Sequence, residues 1–388
     1  MLFIFVLCGL ASALSNRSLD PLLTLIARDY DIPVATAALL SSAYAFPYAF
    51  SQPILGPIGD FYGKSLVLKT CLWLLTACLV GIAMAPNFES MLAARLIGGV
   101  AAGGIMPVTM ALIGDRYPPA QRQLAIGRFL TAGLSGMVFG ASVAGLMAVT
   151  IGWRSFLWLA ASVGLAAAIS ATFFLKLPPT RKAGGAHIRL SDAILGYSRV
   201  FSNPKAILCF GTVFIEGLAL YGATPFIGSL LESSGQGTAR EAGFALGAIG
   251  LGGIFYSLSL QWTLRLMRRS TMMSVGGALI STGLVALWLA APWRLLTAAF
   301  LVTGFGFLLL HNSIQAEVAD LAPQNRASAF SMHSFSFFLG QAFGPMICGA
   351  GLEHFGRSWL IANILVLTFS GLLVSQLFRR RSGTREFK

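Results

Sequence analysis

The chain has 388 residues, 56% hydrophobic and only 11% charged, with a mean hydropathy of +0.76. A soluble domain carries roughly 25% charged residues, so one or two water-soluble globular domains are excluded, and disorder with them. The charge is lopsided: 27 Lys+Arg against 14 Asp+Glu leave +13, which suggests nucleic acid in a soluble protein and cytoplasmic loops in a membrane protein.

A helix needs about 20 mostly apolar residues to cross a bilayer. Twelve stretches meet that length, at 3–26, 33–55, 65–86, 89–113, 124–148, 153–177, 206–231, 243–264, 271–291, 294–318, 326–350 and 357–378. Their apolar runs are continuous rather than alternating, so helices are expected and a β-barrel is not. The first span ends its opening apolar run in Ala11-Ser12-Ala13, which mimics a signal-peptidase site. The basic leader is missing and apolar sequence resumes after Asp20, so the segment reads as an uncleaved helix. Cys8, Cys71, Cys78, Cys209 and Cys348 fall inside spans with no metal-ligand spacing, as small packing residues.

Twelve spans put both termini on one side. That side collects most of the basic residues, from Lys64 and Lys69 through Arg116, Arg122 and Arg265 to the tail Arg379-Arg380-Arg381. The other side has Arg28, Arg154, Arg240, Arg294 and Arg357. The positive-inside rule makes the first side cytoplasmic, with both termini there, in a cell's inner membrane. Charge spread over separate loops removes the nucleic-acid reading; the expected partners are the bilayer and a small-molecule substrate, with the monomer as the working unit.

The longest polar stretch divides the chain into a first six-span unit (1–178), a cytoplasmic linker (179–204) whose second part (190–201) suits an amphipathic surface helix, and a second six-span unit with a basic tail (205–388). The halves repeat each other. Pro119, Arg122, Gly140, Gly145 and Gly152 around the fifth span match Pro323, Arg326, Gly344, Gly349 and Gly356 around the eleventh, always 204 residues apart. A parallel repeat of six-helix units builds secondary transporters with a substrate site between the halves.

The segment after the second span reads Gly56-Pro57-Ile58-Gly59-Asp60-Phe61-Tyr62-Gly63-Lys64. It resembles the signature loop of the major facilitator superfamily, G-x-x-x-D-[RK]-x-G-[RK], with Phe61 in a usually basic position. In the fourth span Arg95, Gly99, Gly103 and Pro107 follow one another every four residues, like the second motif of proton-coupled members. Asp20-Pro21-Leu22-Leu23-Thr24 looks like the end of the first helix in the drug:proton antiporter-like branch. The antiporter motif of the fifth span is present only in part: Gly136, Gly140 and Gly145 are there, but Ala141 stands in the proline position, and the Gly344-Pro345 pair lies in the other half. The resemblance implies an all-α membrane protein of twelve helices, built as two six-helix bundles related by a pseudo-two-fold axis. It also implies that Gly56, Asp60, Gly63 and Lys64 form a gating loop that latches the cytoplasmic side in the outward-open state.

Ionisable residues inside spans are costly and are functional candidates by default. Arg17 lies 14 residues past Phe3, about 21 Å along the helix, and Asp20 is one turn further on the same face. Arg95 lies at a depth matching Asp20, so an Asp20–Arg95 contact within a buried charge network with Arg17 is expected, against a static cluster that only fixes packing. Glu216 falls near the midplane of the seventh span, where a lone carboxylate is costly to keep ionised. It suits a reversible proton carrier, a substrate cation, or a fixed partner such as Arg17. His311 and Gln315 in the tenth span, one turn apart, and His333 in the eleventh are cavity candidates, each with an interhelical hydrogen bond as the alternative. Among the aromatics, Tyr44, Phe46, Tyr48, Tyr221, Phe226 and Trp262 are conceivable walls.

No P-loop or nucleotide-binding segment is present, so no cofactor is expected and an ion gradient, of protons, is the implied energy source. Resemblance favours proton-coupled efflux of a small organic molecule. Import of a small organic anion by symport or uniport is the rival, supported by Arg17, Arg95 and Ala141. A membrane-embedded enzyme would need a cluster of His, Asp, Glu or Ser at one membrane face, and His187, His311, His333 and His354 are scattered in the sequence.

Overall fold

The computed structural model describes residues 2–175, 198–321 and 326–382. Among them are helices and short turns, with no strand. In the first half they are α1 (Leu2–Asn16), a 3₁₀ turn (Asp20–Leu22), α2 (Leu23–Asp29), α3 (Val34–Ala37), α4 (Leu39–Tyr62), α5 (Lys64–Ala83), α6 (Phe88–Arg116), α7 (Pro119–Thr150) and α8 (Trp153–Phe174). The second half has α9 (Lys205–Ala223), a 3₁₀ turn (Thr224–Phe226), α10 (Ile227–Ser233), α11 (Ala239–Leu266), α12 (Arg269–Ile280), α13 (Thr282–Trp288), α14 (Trp293–Leu321), α15 (Arg326–Phe355) and α16 (Trp359–Ser382).

Ten stretches are long and apolar enough to cross a bilayer. The last of these, Ser328–Phe378, turns at Gly356 and makes two crossings, α15 and α16. The 24 residues of α4 make one more, since about 36 Å of helix exceeds a hydrocarbon core of about 30 Å. The described residues thus form an all-α membrane protein with twelve crossings. Local chemistry sets their ends. Asn87 accepts the Ser90 amide at 2.9 Å at the start of α6, and Thr238 with Glu241 forms a capping box at the start of α11. Gly152 (φ 89°) and Gly356 (φ 56°) turn the chain ahead of α8 and α16, where a Cβ would be strained.

Within the first half α1 packs on α7 and α8, and α6 on α4 and α5. Within the second α9 packs on α15 and α16, and α12 on α14 and α16. The 204-residue repeat holds in space. A Cβ on Gly136 would meet Leu10, and one on Gly340 would meet Phe214. Gly140 abuts Leu14 and Ser18, while Gly344 abuts Leu218 and Gly222. Gly145 approaches Ala239, and Gly349 approaches Ala35. These three approaches recur in the other half under the same shift, as a pseudo-two-fold axis requires. Lipid gives no hydrophobic drive between helices, so backbone approach at small residues holds the bundles together.

The halves join mainly through α7 on α11 and α4 on α15. The glycine-mediated approaches between α7 and α11 involve Val138 to Gly145 and Ala239 to Gly250, the half of each helix remote from the chain termini. On that remote face Arg28 bridges to Glu232 at 2.5 Å across the halves. On the terminal face Lys64–Asp115 (2.7 Å) and Arg269–Glu317 (3.0 Å) each stay within one half. Among the described residues, the ion pair and the α7–α11 glycine contacts that join the halves lie on the remote face.

Three expectations need correction. The first and seventh spans are not continuous helices but break at Asp20 and Thr224, and the ninth breaks at Ser281. Proline explains the first two, because Pro21 and Pro225 lack the amide a continuing helix needs. The supposed signature loop is helix through Tyr62, and the turn is made by Gly63 alone at φ 102°. Pro119 is the first residue of α7, not part of a loop. The surface helix expected at 190–201 lies outside the described residues up to 197.

Candidate functional site

The breaks in the first and seventh spans bring polar groups together. Because α1 ends at Asn16, its last carbonyls lack helical donors. Arg95 of α6 supplies them: Nη1 donates to Ser15 O (2.8 Å), Nη2 to Asn16 O (3.2 Å) and Nε to Leu40 O of α4 (3.1 Å). Its guanidinium lies 4.1 Å from the centroid of Tyr44, whose hydroxyl shares a 2.7 Å hydrogen bond with Ser15. The expected Asp20–Arg95 contact is not made. Arg95 is a clamp on three carbonyls, favoured there because helix C-termini attract cations.

Arg17 takes the role beside Asp20. Its Nη1 donates to Asp20 Oδ2 at 3.2 Å and lies 3.5 Å from Tyr221 O, and Nη2 donates to Gln341 Oε1. The guanidinium sits 4.5 Å from the Tyr221 centroid. Asp20, 1% exposed, also accepts from Ser41 Oγ (2.7 Å) and Thr224 Oγ1 (2.9 Å). The clasp therefore ties α1 and α4 of the first half to α9, the adjoining 3₁₀ turn and α15 of the second. Removing one member of a buried ion pair leaves a lone charge, at a cost of about 3–5 kcal/mol. Three of the cross-half contacts join residues 204 apart: Arg17 to Tyr221, Asp20 to Thr224, and Arg28 to Glu232.

A second cluster lies wholly in the second half. Glu216 of α9 is fully buried; its Oε2 lies 2.7 Å from His311 Nδ1 on α14, while its Oε1 has no partner. The rings of His311 and His333, the latter on α15, are 4.7 Å apart at their centroids, and His333 Nε2 has no partner. Phe307 and Phe337 stack on His311, and both rings also meet Tyr221 edge-on. Tyr221 thus stands between the two clusters, with Arg17 on one side. Of the alternatives open for Glu216, a fixed pairing with Arg17 is not made; its partner is His311. Gln315, one turn along from His311, is half-buried and takes no hydrogen bond in the described residues.

The packing motifs are where their roles require. Cβ atoms on Gly99 and Gly103 would collide with Tyr44 O and with Ser51 and Tyr48, so these glycines let α6 lie on α4. Pro107 and Pro345 are carried inside α6 and α15. In the gating segment Gly56 lies within α4, and Lys64 pairs with Asp115; the Asp60 side chain lies outside what is described. Among the proposed walls, Tyr48 contacts Phe338 (4.1 Å) and Phe46 contacts Phe343 (5.1 Å) across the halves, whereas Trp262 is 72% exposed on the outside. Sequence reasoning missed Ser41 and Thr224 as partners of Asp20. The 204-residue shift applied to Asp20 points directly at Thr224.

The family model of the Major Facilitator Superfamily matches residues 5–291 and 237–388. The MFS-type transporter YwfA of Bacillus subtilis is 23% identical over 376 residues, spanning 95% of this chain and 90% of that protein. Quinolone resistance protein NorA of Staphylococcus aureus is 26% identical over 341 residues, 85% of this chain and 84% of NorA. A crystal structure of nucleoside transporter NupG superposes with a TM-score of 0.78 at 16% identity, covering 97% of this chain and 98% of that one.

Proposed function

The chain belongs to the major facilitator superfamily, and on that premise we propose that it exports a small organic molecule in exchange for protons by alternating access. It is a multi-pass membrane transporter and not an enzyme. The observation that carries proton coupling is Glu216, a fully buried carboxylate with one oxygen on His311 and the other unpaired. A carboxylate so placed is costly when ionised and stable when protonated, which is what a reversible carrier needs. Likeness to NorA, which by its name resists quinolones, favours export. By the positive-inside rule the terminal face is cytoplasmic, in the inner membrane. The remote face, closed by the Arg17–Asp20 clasp, is then external, and the halves rock about their contacts to open it. No cofactor enters this scheme, and one chain suffices because both halves lie within it.

Import of an organic anion finds less support. Arg17 and Arg95, its intended ligands, are already committed to Asp20, Gln341 and backbone carbonyls.

The test uses everted membrane vesicles, an imposed pH gradient acid inside, and a fluorescent quinolone as probe. Gradient-dependent accumulation of the quinolone, at least tenfold lower in Glu216→Gln, is expected. Accumulation that ignores the gradient, or survives Glu216→Gln at full rate, overturns the coupling assignment.

A further inference from the structure

We infer that His333 is a proton relay linking the Glu216–His311 pair to the terminal face, the side on which an exchange of exported substrate for protons releases them; this rests on Glu216 being the coupling carboxylate. Three helices bring the members together. Glu216 and His311 share a hydrogen bond of 2.7 Å, and the His311 and His333 rings lie 4.7 Å apart. The two ends of this row, Glu216 Oε1 and His333 Nε2, are both buried and without partners. Buried polar atoms are nearly always paired. A histidine held in place by a hydrogen bond at Nε2 would have that atom paired, and in His333 it is open.

Position along the helices gives the row a direction. His333 is seven residues from the start of α15 at Arg326, about 10 Å from the terminal end of its helix. His311 is ten residues from Leu321, about 15 Å, and Glu216 is eleven residues from Lys205, about 16 Å. The row therefore climbs from the terminal face to the midplane. On the remote side it meets closed structure. Gly217 and Gly222 of α9 sit against the backbone of Phe337, Gly340 and Gly344, and Tyr221 packs on Phe307 and Phe337. The titratable group in contact with His333 is His311 on α14, which in turn meets Glu216 of α9. On the neighbouring elements Cys209 and Tyr221 lie on α9, and Tyr221 reaches the aromatic cluster through Phe337, while α16 carries no titratable residue between Trp359 and Phe378.

The transfer balances with water at the terminal face as proton source. His333 takes one proton at Nε2. A proton passes on to Nε2 of His311 as the Nδ1 proton of His311 moves to Glu216 Oε2. His333 returns to neutral, His311 stays neutral with its proton on the other nitrogen, and one carboxylate has become a carboxylic acid. Discharge runs the same steps backwards.

The experiment is time-resolved infrared spectroscopy of the purified full-length protein in lipid nanodiscs after a downward pH jump, following the protonated carboxyl band. Loss of the band in Glu216→Gln identifies it with Glu216. In His333→Ala the band is expected to rise at least tenfold more slowly, and added imidazole is expected to restore the rate. His333→Asn, expected to be equally slow, replaces the alanine variant if that one does not assemble. A wild-type rate in both variants overturns the relay while leaving Glu216 in place. Slowing that imidazole does not relieve makes His333 structural and also overturns it. A band unchanged in Glu216→Gln instead overturns the coupling role of Glu216, and the relay with it.

Discussion

Arg95 and Asp20 sit at similar depth, yet their chemistry differs. Arg95 has three donors on three carbonyls in a fan that only a guanidinium matches. Truncation leaves buried carbonyls without donors, at about 1–3 kcal/mol each. Arg95→Ala is therefore expected to lower the thermal unfolding midpoint of the detergent-solubilised protein by many degrees. Arg95→Lys, with a single ammonium, should fall between the two. An unchanged midpoint in Arg95→Ala would show that the clamp does not stabilise the broken first span. The sequence displays Arg95 as an intramembrane charge and so invites a carboxylate partner. Backbone carbonyls have no letter in the sequence, and their availability follows from a helix break seen only in space.

At the scale of elements, α7 and α11 cross where neither tolerates a side chain. A Cβ on Gly243 would fall 2.6 Å from Ala141 O, and one on Gly250 would collide with Val138. Overpacking a tight contact costs about 1–3 kcal/mol. Here that cost falls on the joined state of the remote face, so Gly243→Val is expected to increase maleimide labelling of a cysteine placed at Ser142 by several-fold. Equal labelling with and without the substitution would separate this crossing from closure. Elements were legible to different degrees. Twelve spans and the repeat follow from hydropathy and a fixed offset. The breaks at Asp20-Pro21 and Thr224-Pro225 carry a proline signal, but no such residue marks Ser281. The Glu216–His311–His333 row was legible only as separate residues. His311 lies 95 positions from Glu216, and nothing in one sequence says which helix faces meet.

Across the whole molecule, residues 204 apart meet along the remote seam between the halves. Arg28 is 64% exposed at the side chain, so its pair with Glu232 contributes about 0–1 kcal/mol and marks the seam more than it holds it. That makes the pair a suitable place for a reporter. With Arg28→Cys and Glu232→Cys combined, a short bifunctional methanethiosulfonate reagent is expected to bridge the two, stop transport by at least tenfold, and release it on reduction. The native cysteines are all buried and free, which keeps the background low. Full transport in the cross-linked protein would mean that the remote face need not open.

Residues 204 apart occupy equivalent positions in the two halves, and on a two-fold axis equivalent positions meet. Had two identical six-helix chains paired here, Asp20 would face Asp20 and Arg28 would face Arg28, like charges in contact. In the single chain Asp20 meets Thr224 and Arg28 meets Glu232. In one continuous chain each position on the axis is free of its own mirror. The line where a homodimer is most constrained can therefore carry complementary groups, and the Arg17–Asp20 clasp and the Arg28–Glu232 pair both lie on it.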